Sequence, residues 1–195
     1  ELMDHILPMV VPEVSALAQK RLEKGGVTFR LGAKVSRVEN NRVYYEYNGA
    51  QEQLEAGAVL MAVGRTPNTE GLNAQGIGLE FDRNAIKTDL CLCTNVPNIY
   101  AIGDITGKIQ LAHVATAQGL VAAANCAGRT ATLDYDVVPA CIYSSPEIAY
   151  IGMTAEKAKE AGYDVEIGSY NVAGNGKALV MGVNTGVVKI IAQKT

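Results

Sequence analysis

The sequence contains few of the residues that build metal and redox centres. Its 195 residues include only two histidines, His5 and His113, and four cysteines, which are Cys91, Cys93, Cys126 and Cys141. No two cysteines form a C-x-x-C pair, and none has the spacing to a histidine that a metal site uses. We therefore interpret the cysteines as reduced, partly buried thiols of a cytosolic protein and expect no metal site.

Long apolar runs and clustered charges are also missing. No apolar run approaches the ~20 residues that a membrane span needs, and the first residues lack the basic segment and cleavage site of a signal peptide. The net charge is −3 and the basic residues are scattered, so nucleic-acid binding has no electrostatic support. These absences predict a cytoplasmic protein that binds neither membranes nor nucleic acids.

Local patterns predict helices and hairpins. Pro12 to Lys24 is predicted to be a helix that Gly25 and Gly26 end, with an apolar stripe formed by Val14, Leu17, Ala18 and Leu22. Short strands are predicted at residues 27–31, 34–39, 42–47 and 51–55, with turns at residues 40–41 and 48–49. Further helices are predicted at about residues 112–127 and, after a Thr154 cap, up to Gly162.

Two apolar segments have the length and composition of strands buried on both faces. They are residues 58–63 (AVLMAV) and residues 98–102 (NIYAI), and residues 186–192 are predicted to form a further strand. The second segment ends in Gly103 and Asp104. A strand that ends in this pair places a carboxylate at the carboxyl edge of a sheet, where α/β proteins bind ligands. Asp104 is therefore a candidate acceptor for ligand hydroxyls, although many such aspartates only form turns.

Residues 94–104 (TNVPNIYAIGD) resemble the second flavin-binding motif of the pyridine-nucleotide disulfide oxidoreductases. Further segments match this family in the same order along the chain. Residues 62–68 (AVGRTPN) resemble the end of its NAD domain, residues 110–119 the helix that begins under the flavin, and residues 138–149 the opening of its dimer-interface domain. Because the matches are collinear, the chain is identified as a member of the family.

The resemblance implies an α/β fold that becomes α+β towards the C-terminal end. Parts of two dinucleotide-binding domains and the start of an interface domain are expected, with boundaries at residues 1–65, 66–136 and 137–195. The expected cofactors are FAD and NAD. The implied FAD contacts are Asp104, Gln110, Leu111, Ala112 and His113, and the implied NAD contacts are Glu1, Val35 and Gly64.

The helix that begins after Gln110 suits an electron-rich ligand, because unpaired N–H groups make a helix start positive. By the family pattern, the backbone of residues 111–113 faces the edge of the flavin that becomes anionic on reduction. The side chain of His113 is not expected to act as a catalytic base, since a histidine at a helix start is poorly placed to hold a proton.

Within the family, Leu111-Ala112-His113 and residues 173–182 (AGNGKALVMG) resemble the lipoamide dehydrogenases, whereas Ser144-Ser145 departs from their more familiar Thr-His. This implies oxidation of dihydrolipoamide, carried on a lipoyl domain of a 2-oxoacid dehydrogenase or glycine cleavage complex, by a homodimer. Another disulfide reductase of the glutathione or mercuric type remains an alternative.

The sequence lacks the catalytic motifs of the family. It contains no G-x-G-x-x-G loop, no C-x-x-x-x-C disulfide and no H-x-H-P-T segment that would carry the base. No catalytic residue is therefore assigned, and the chain is interpreted as a fragment that by itself is inactive. A non-catalytic piece that only folds and pairs is the alternative for the chain as given.

Overall fold

Two asparagine-containing turns fold residues 34–55 into a three-stranded antiparallel sheet. The computed structural model describes residues 1–194, in two units formed by residues 1–61 with 141 onward and by residues 62–140. The sheet of the first unit contains β1 (Lys34–Glu39), β2 (Arg42–Tyr47) and β3 (Ala50–Glu55). Asn40 and Asn41 have φ values of 50° and 59°, and Asn48 and Gly49 have 51° and 77°. Such turns match the twist of antiparallel strands, and both predicted hairpins are confirmed.

Helix α1 (Pro12–Lys24) has the predicted bounds. Proline fits its first turn, and the N–H of Gly25 bonds to the carbonyls of Arg21 and Leu22 before Gly26 turns the chain at φ 95°. Its buried positions are Ser15 and Ala18, whereas Leu17 of the predicted stripe is mostly exposed. A small core joins this helix to the later part of the unit and consists of Val10, Ala18 and Ile148, with Ile6, Leu7, Val14 and Ile142 packed against it.

The later part of the first unit contains short strands and helices, among them the predicted helix after Thr154 and the predicted strand near the end of the chain. It contains a two-stranded sheet of β6 (Ala140–Ile142) and β7 (Ile148–Tyr150), then α3 (Ala155–Glu160). The Thr154 hydroxyl caps α3 by accepting the N–H of Lys157 at 3.2 Å, as predicted. Strands β8 (Val165–Asn171) and β9 (Val187–Gln193) pair antiparallel, with the short helix α4 (Gly176–Val180) between them.

The second unit is built around one alanine-rich helix. Helix α2 (Ala112–Cys126) confirms the predicted helix, and Gly128 follows it at φ 76°. A hairpin of β4 (Phe81–Asp82) and β5 (Ala85–Ile86) precedes a 3-10 turn over Gly103–Thr106. The fully buried side chains of the unit are Leu92, Val114 and Gln118.

The prediction of a buried strand at residues 58–63 is wrong. This run has no strand assignment, and Leu60, for example, is 90% exposed. A central strand exists only when neighbouring strands satisfy its N–H and C=O groups, and no segment of residues 1–194 pairs with this run. The apolar composition indicates the environment that the run prefers, but it cannot supply the neighbours.

Two further strand predictions are wrong for the same reason. Residues 98–102 form one isolated bridge, between Tyr100 and Cys93, instead of a buried strand. Residues 27–31 are irregular, although the residue that follows this segment bonds to the first residues: the Gly32 N–H donates to the Met3 carbonyl at 2.9 Å. Local apolar patterns therefore overpredicted strands where few backbone partners exist.

Candidate cofactor-binding site

The turn that follows Ile102 presents the candidate ligand carboxylate. Gly103 has φ 75°, a left-handed conformation that favours glycine, and begins the 3-10 turn. The Thr106 hydroxyl donates to the Gly103 carbonyl at 2.9 Å, and the N–H of Gly107 donates to the Asp104 carbonyl at 3.1 Å. These bonds hold the backbone of the turn and leave the Asp104 side chain free of the turn itself.

The Asp104 carboxylate lies at the surface of the second unit with an arginine beside it. Arg65 Nη2 donates to Asp104 Oδ2 at 2.5 Å, and the two side chains are 68% and 38% exposed. Within residues 1–194, Oδ1 of Asp104 has no hydrogen-bond partner. This oxygen is a hydrogen-bond acceptor, to which a ligand hydroxyl can donate.

The start of α2 is a second feature of the same unit that is suited to binding an electron-rich ligand. Leu111 occupies the N-cap position and makes no side-chain cap bond, and the first helical backbone bond is from the Ala115 N–H to the Leu111 carbonyl at 3.0 Å. The N–H groups of Ala112, His113 and Val114 therefore have no acceptor inside the helix. Ala112 and His113 are exposed, so this positive end of the helix lies at the surface of the unit.

His113 uses its ring for a structural bond. Its Nε2 lies 2.8 Å from the carbonyl oxygen of Pro139, which can only accept, so Nε2 carries the proton. This bond fixes the ring against the end of the unit and leaves Nδ1 as the nitrogen that can accept a proton. That His113 is not a catalytic base therefore stays a prediction.

A buried glutamine connects the turn to α2. Gln118 Oε1 accepts the backbone N–H of Gly103 at 2.5 Å, and Gln118 Nε2 donates to the hydroxyl of Tyr135 at 2.9 Å. Sequence reasoning noted Gln118 only as part of a matching segment and gave it no role. Its signal in the sequence was a polar residue on a helix that is otherwise rich in alanine.

The predicted NAD contacts lie in both units. In the first unit, the Ala33 N–H donates to the Glu1 carbonyl at 2.9 Å, which brings Glu1 to the beginning of the strand that carries Val35. The Glu1 carboxylate accepts the Met3 N–H at 3.0 Å, and this bond lowers the pKa of Glu1. Gly64 belongs to the second unit, where its φ of 127° turns the chain after the apolar run.

The cysteines take no part in either group of candidate residues. All four are free thiols, and residues 1–194 contain no cluster of three or more His, Cys, Asp or Glu side chains that could hold a metal ion. Contact with the Cys93 thiol, followed by burial, raises the pKa of Tyr100.

No helix among the described residues has the length and apolarity to cross a membrane.

The comparison with known families decides the identification. The family model described as pyridine nucleotide-disulphide oxidoreductase matches residues 1–119, and the model of the dimerisation domain of the same family matches residues 138–195. The chain belongs to the pyridine nucleotide-disulphide oxidoreductase family. The predicted fold class, a mixed α and β chain made of parts of this architecture, is thereby confirmed.

Several curated relatives of the chain are dihydrolipoyl dehydrogenases. Dihydrolipoyl dehydrogenases from Chlamydia muridarum and Bacillus subtilis are each 41% identical to the chain, over 100% and 98% of its length. The chain spans 42% of the length of each of these two relatives.

Solved structures in the family agree with the sequence matches. LpdA from Mycobacterium tuberculosis superposes with a TM-score of 0.89 at 26% identity, over 100% of this chain and 43% of that one. The HOCl-induced flavoprotein disulfide reductase RclA from Escherichia coli superposes with a TM-score of 0.84 at 30% identity, over 99% of this chain and 45% of that one.

Proposed function

We propose that this chain is part of a flavoenzyme that oxidises dihydrolipoamide and transfers the electrons to NAD. The proposal rests above all on one arrangement: the Asp104 carboxylate and the uncapped start of α2 belong to the same unit, and Gln118 joins them. The identity of 38–41% to dihydrolipoyl dehydrogenases from Bacillus and Chlamydia supports the choice of reaction.

The residues of the second unit fit the chemistry of FAD. Asp104 Oδ1 would accept a hydrogen bond from a ribityl hydroxyl, because a free carboxylate oxygen is a strong acceptor for such a group. Gln110, Leu111, Ala112 and His113 would hold the electron-rich part of the flavin at the start of α2, where backbone N–H groups have no acceptor inside the helix. A helix start contributes about 0.3–2 kcal/mol to an adjacent anion, which favours reduced flavin modestly. When bound, FAD supplies the two-electron carrier between the substrate dithiol and the nicotinamide.

The remaining candidate residues are assigned to NAD. Glu1 accepts hydrogen bonds from the hydroxyls of the adenosine ribose, a role that acidic residues fill in dinucleotide-binding domains. Val35, on an exposed part of β1, and Gly64 contribute backbone contacts.

The organisation of the whole protein belongs to the same proposal. Residues 1–65 are the rear of an NAD-binding domain, residues 66–136 a central FAD-contacting domain, and residues 137–195 the front of an interface domain. The whole protein is a cytoplasmic homodimer that acts on a lipoyl domain of a 2-oxoacid dehydrogenase or glycine cleavage complex. The redox cysteine pair and the His-Glu base lie outside this chain. The match of residues 138–195 to a dimerisation domain supports the pairing.

The test is an assay of the whole protein with competing substrates. NADH formation from dihydrolipoamide is measured beside NAD(P)H oxidation with glutathione disulfide and with mercuric ion. We expect kcat/KM for dihydrolipoamide to exceed the other two by orders of magnitude. A larger kcat/KM for either competitor would overturn the lipoamide assignment and leave the FAD and NAD assignments standing.

A different disulfide reductase of the same family is the second candidate. Two observations favour it: the similarity to RclA at 30% identity, and Ser144-Ser145 in place of the more familiar Thr-His. The competition assay separates the two candidates, because a reductase consumes NAD(P)H with its own disulfide substrate and oxidises dihydrolipoamide slowly.

A further inference from the structure

Arg65 and Asp104 come from two different motifs of the sequence and meet in the second unit. Arg65 belongs to the Gly64-Arg-Thr-Pro-Asn68 segment, and Asp104 ends the segment that resembles a flavin-binding motif. They are separated by 39 positions, and Nη2 of the arginine lies 2.5 Å from Oδ2 of the aspartate. A contact over this sequence distance requires the fold to bring two loops together.

The backbone explains how the two loops meet. Gly64 turns the chain at φ 127°, and the following residues then run beside the turn after Asp104. A cavity of about 610 Å³ lies there, lined by Arg65, Thr66 and Pro67 on one side and by Thr106, Gly107 and Lys108 on the other. A Cβ added to Gly107 would lie 3.7 Å from Cγ of Pro67, so the two loops are in van der Waals reach.

The ion pair is too exposed to serve mainly as a stabilising contact. The arginine side chain is 68% exposed and the aspartate 38%, and exposed pairs contribute little to folding because water and salt screen them. Its geometry has a different consequence. Arg65 holds one carboxylate oxygen, which restricts the rotation of the side chain, and Oδ1 is left without a partner within the described chain.

We propose that Arg65 is a positioning residue for Asp104: it orients the carboxylate so that Oδ1 points to a ligand hydroxyl. The inference rests on the proposed function, in which that hydroxyl belongs to the ribityl chain of FAD. Arg65 itself touches no reacting atom. It couples the loop that follows the predicted NAD segment to the acceptor of the flavin chain.

The test is a double-mutant cycle on FAD affinity in the whole protein. The apoprotein of the wild type and of Arg65→Met, Asp104→Ala and the double variant is titrated with FAD, and flavin fluorescence gives Kd. We expect Arg65→Met to raise Kd about tenfold, as loss of one charge-assisted hydrogen bond would. In the Asp104→Ala background, which has no side-chain acceptor, the same substitution should leave Kd unchanged, because Arg65 acts through the carboxylate.

Two further variants separate positioning from charge and from folding. Arg65→Lys retains the positive charge and should restore part of the affinity, although lysine lacks the planar fork of arginine. Arg83 lines the same cavity and, in the described part of the chain, belongs to no ion pair, so Arg83→Met is the matched control and should keep the wild-type Kd. Thermal unfolding of each apoprotein checks that the variants fold, and the expected midpoints agree within the small effect of an exposed pair.

Each of the following results would overturn one or both of the assignments. An Arg65→Met effect that persists in the Asp104→Ala background, or a wild-type Kd for Arg65→Met, would overturn the role of Arg65 while the flavin site stands. A wild-type Kd for Asp104→Ala would remove the flavin role of Asp104 and therefore both assignments. A loss of affinity in Arg83→Met as large as in Arg65→Met would show a general charge effect and would also overturn the proposal.

Discussion

Gln118 binds the backbone N–H of Gly103 and the hydroxyl of Tyr135 at the same time, through Oε1 and Nε2 of one fully buried amide. The bond to Gly103 is 2.5 Å long and joins the second turn of α2 to the turn that presents Asp104. The position of the candidate carboxylate therefore depends on a buried side chain of α2.

Replacing this amide should affect both stability and cofactor retention. Gln118→Leu fills a similar volume but leaves the half-buried Gly103 N–H and Tyr135 hydroxyl without their partner, at a cost of up to about 1–3 kcal/mol for each group. We expect the free energy of unfolding to fall by about 2–4 kcal/mol, measured by urea denaturation of the whole protein. The exposed Gln53→Leu is the matched control. Equal midpoints for the two variants would contradict the role assigned to Gln118.

Coenzyme choice should follow from Glu1. The extra phosphate of NADP would meet this carboxylate, and like charges at ~5 Å cost about 3 kcal/mol per unit charge at an effective dielectric constant of ~20, less where salt screens them. The whole protein should therefore prefer NAD by kcat/KM, and Glu1→Arg should narrow the preference. Asp4→Arg changes the net charge equally from three positions away and should have a smaller effect. Equal efficiency of the wild type with both coenzymes would refute the assignment.

The cap of α3 should give a pH-dependent contribution to stability. A bond from its own amide, then one from the Thr154 hydroxyl, lowers the pKa of Glu156 below 4.5. A lowered pKa means that the stabilisation is complete above the unfolded value and is lost as the pH falls through the folded value. Thr154→Ala should cost about 0.5–2 kcal/mol at pH 7, and the difference from wild type should shrink below pH 4.5.

Thr154→Ser is the control for this cap, because serine keeps the hydroxyl that accepts the Lys157 N–H. Unfolding of the wild type, Thr154→Ala and Thr154→Ser is measured from about pH 3 to about pH 7 in steps of about one pH unit. A difference between Thr154→Ala and wild type that grows as the solution becomes more acidic would contradict the sign of the Glu156 effect.

The whole protein should sediment as a dimer. Residues 138–195 match a dimerisation domain, and exposed apolar side chains such as Tyr170, Val188 and Ile190 occupy one face of the β8–β9 hairpin. We expect sedimentation equilibrium to give twice the protomer mass across a dilution series at micromolar concentration. A monomer throughout that range would count decisively against the proposed assembly.

The elements that sequence predicted correctly depend on short-range chemistry. Proline at the start of α1, the Asn turns beside β2 and the hydroxyl of Thr154 act on their own neighbours, so a single sequence reveals them. The wrong predictions, residues 27–31, 58–63 and 98–102, all required hydrogen bonds to distant backbone. An apolar pattern contains no information on whether those partners are available.

The candidate site shows the same division. Asp104 and the α2 start were predicted from motifs, since each is local and resembles a known segment. The Arg65–Asp104 ion pair and the Gln118–Gly103 bond span 39 and 15 positions and became visible only in the fold. A side chain that orients a binding group is harder to recognise in a sequence than the binding group itself. Many residue types, at many positions, could contact the binding group.

The exposed run at residues 58–63 has a consequence for how the chain behaves at high concentration. Six consecutive apolar residues without proline or charge have the composition of self-associating β-segments, and here they face solvent. Glu55 and Arg65 stand on either side, where charged residues oppose intermolecular strand pairing. Replacement of Arg65 by an apolar residue would therefore also remove one of the two charges that flank this run, and it should increase aggregation.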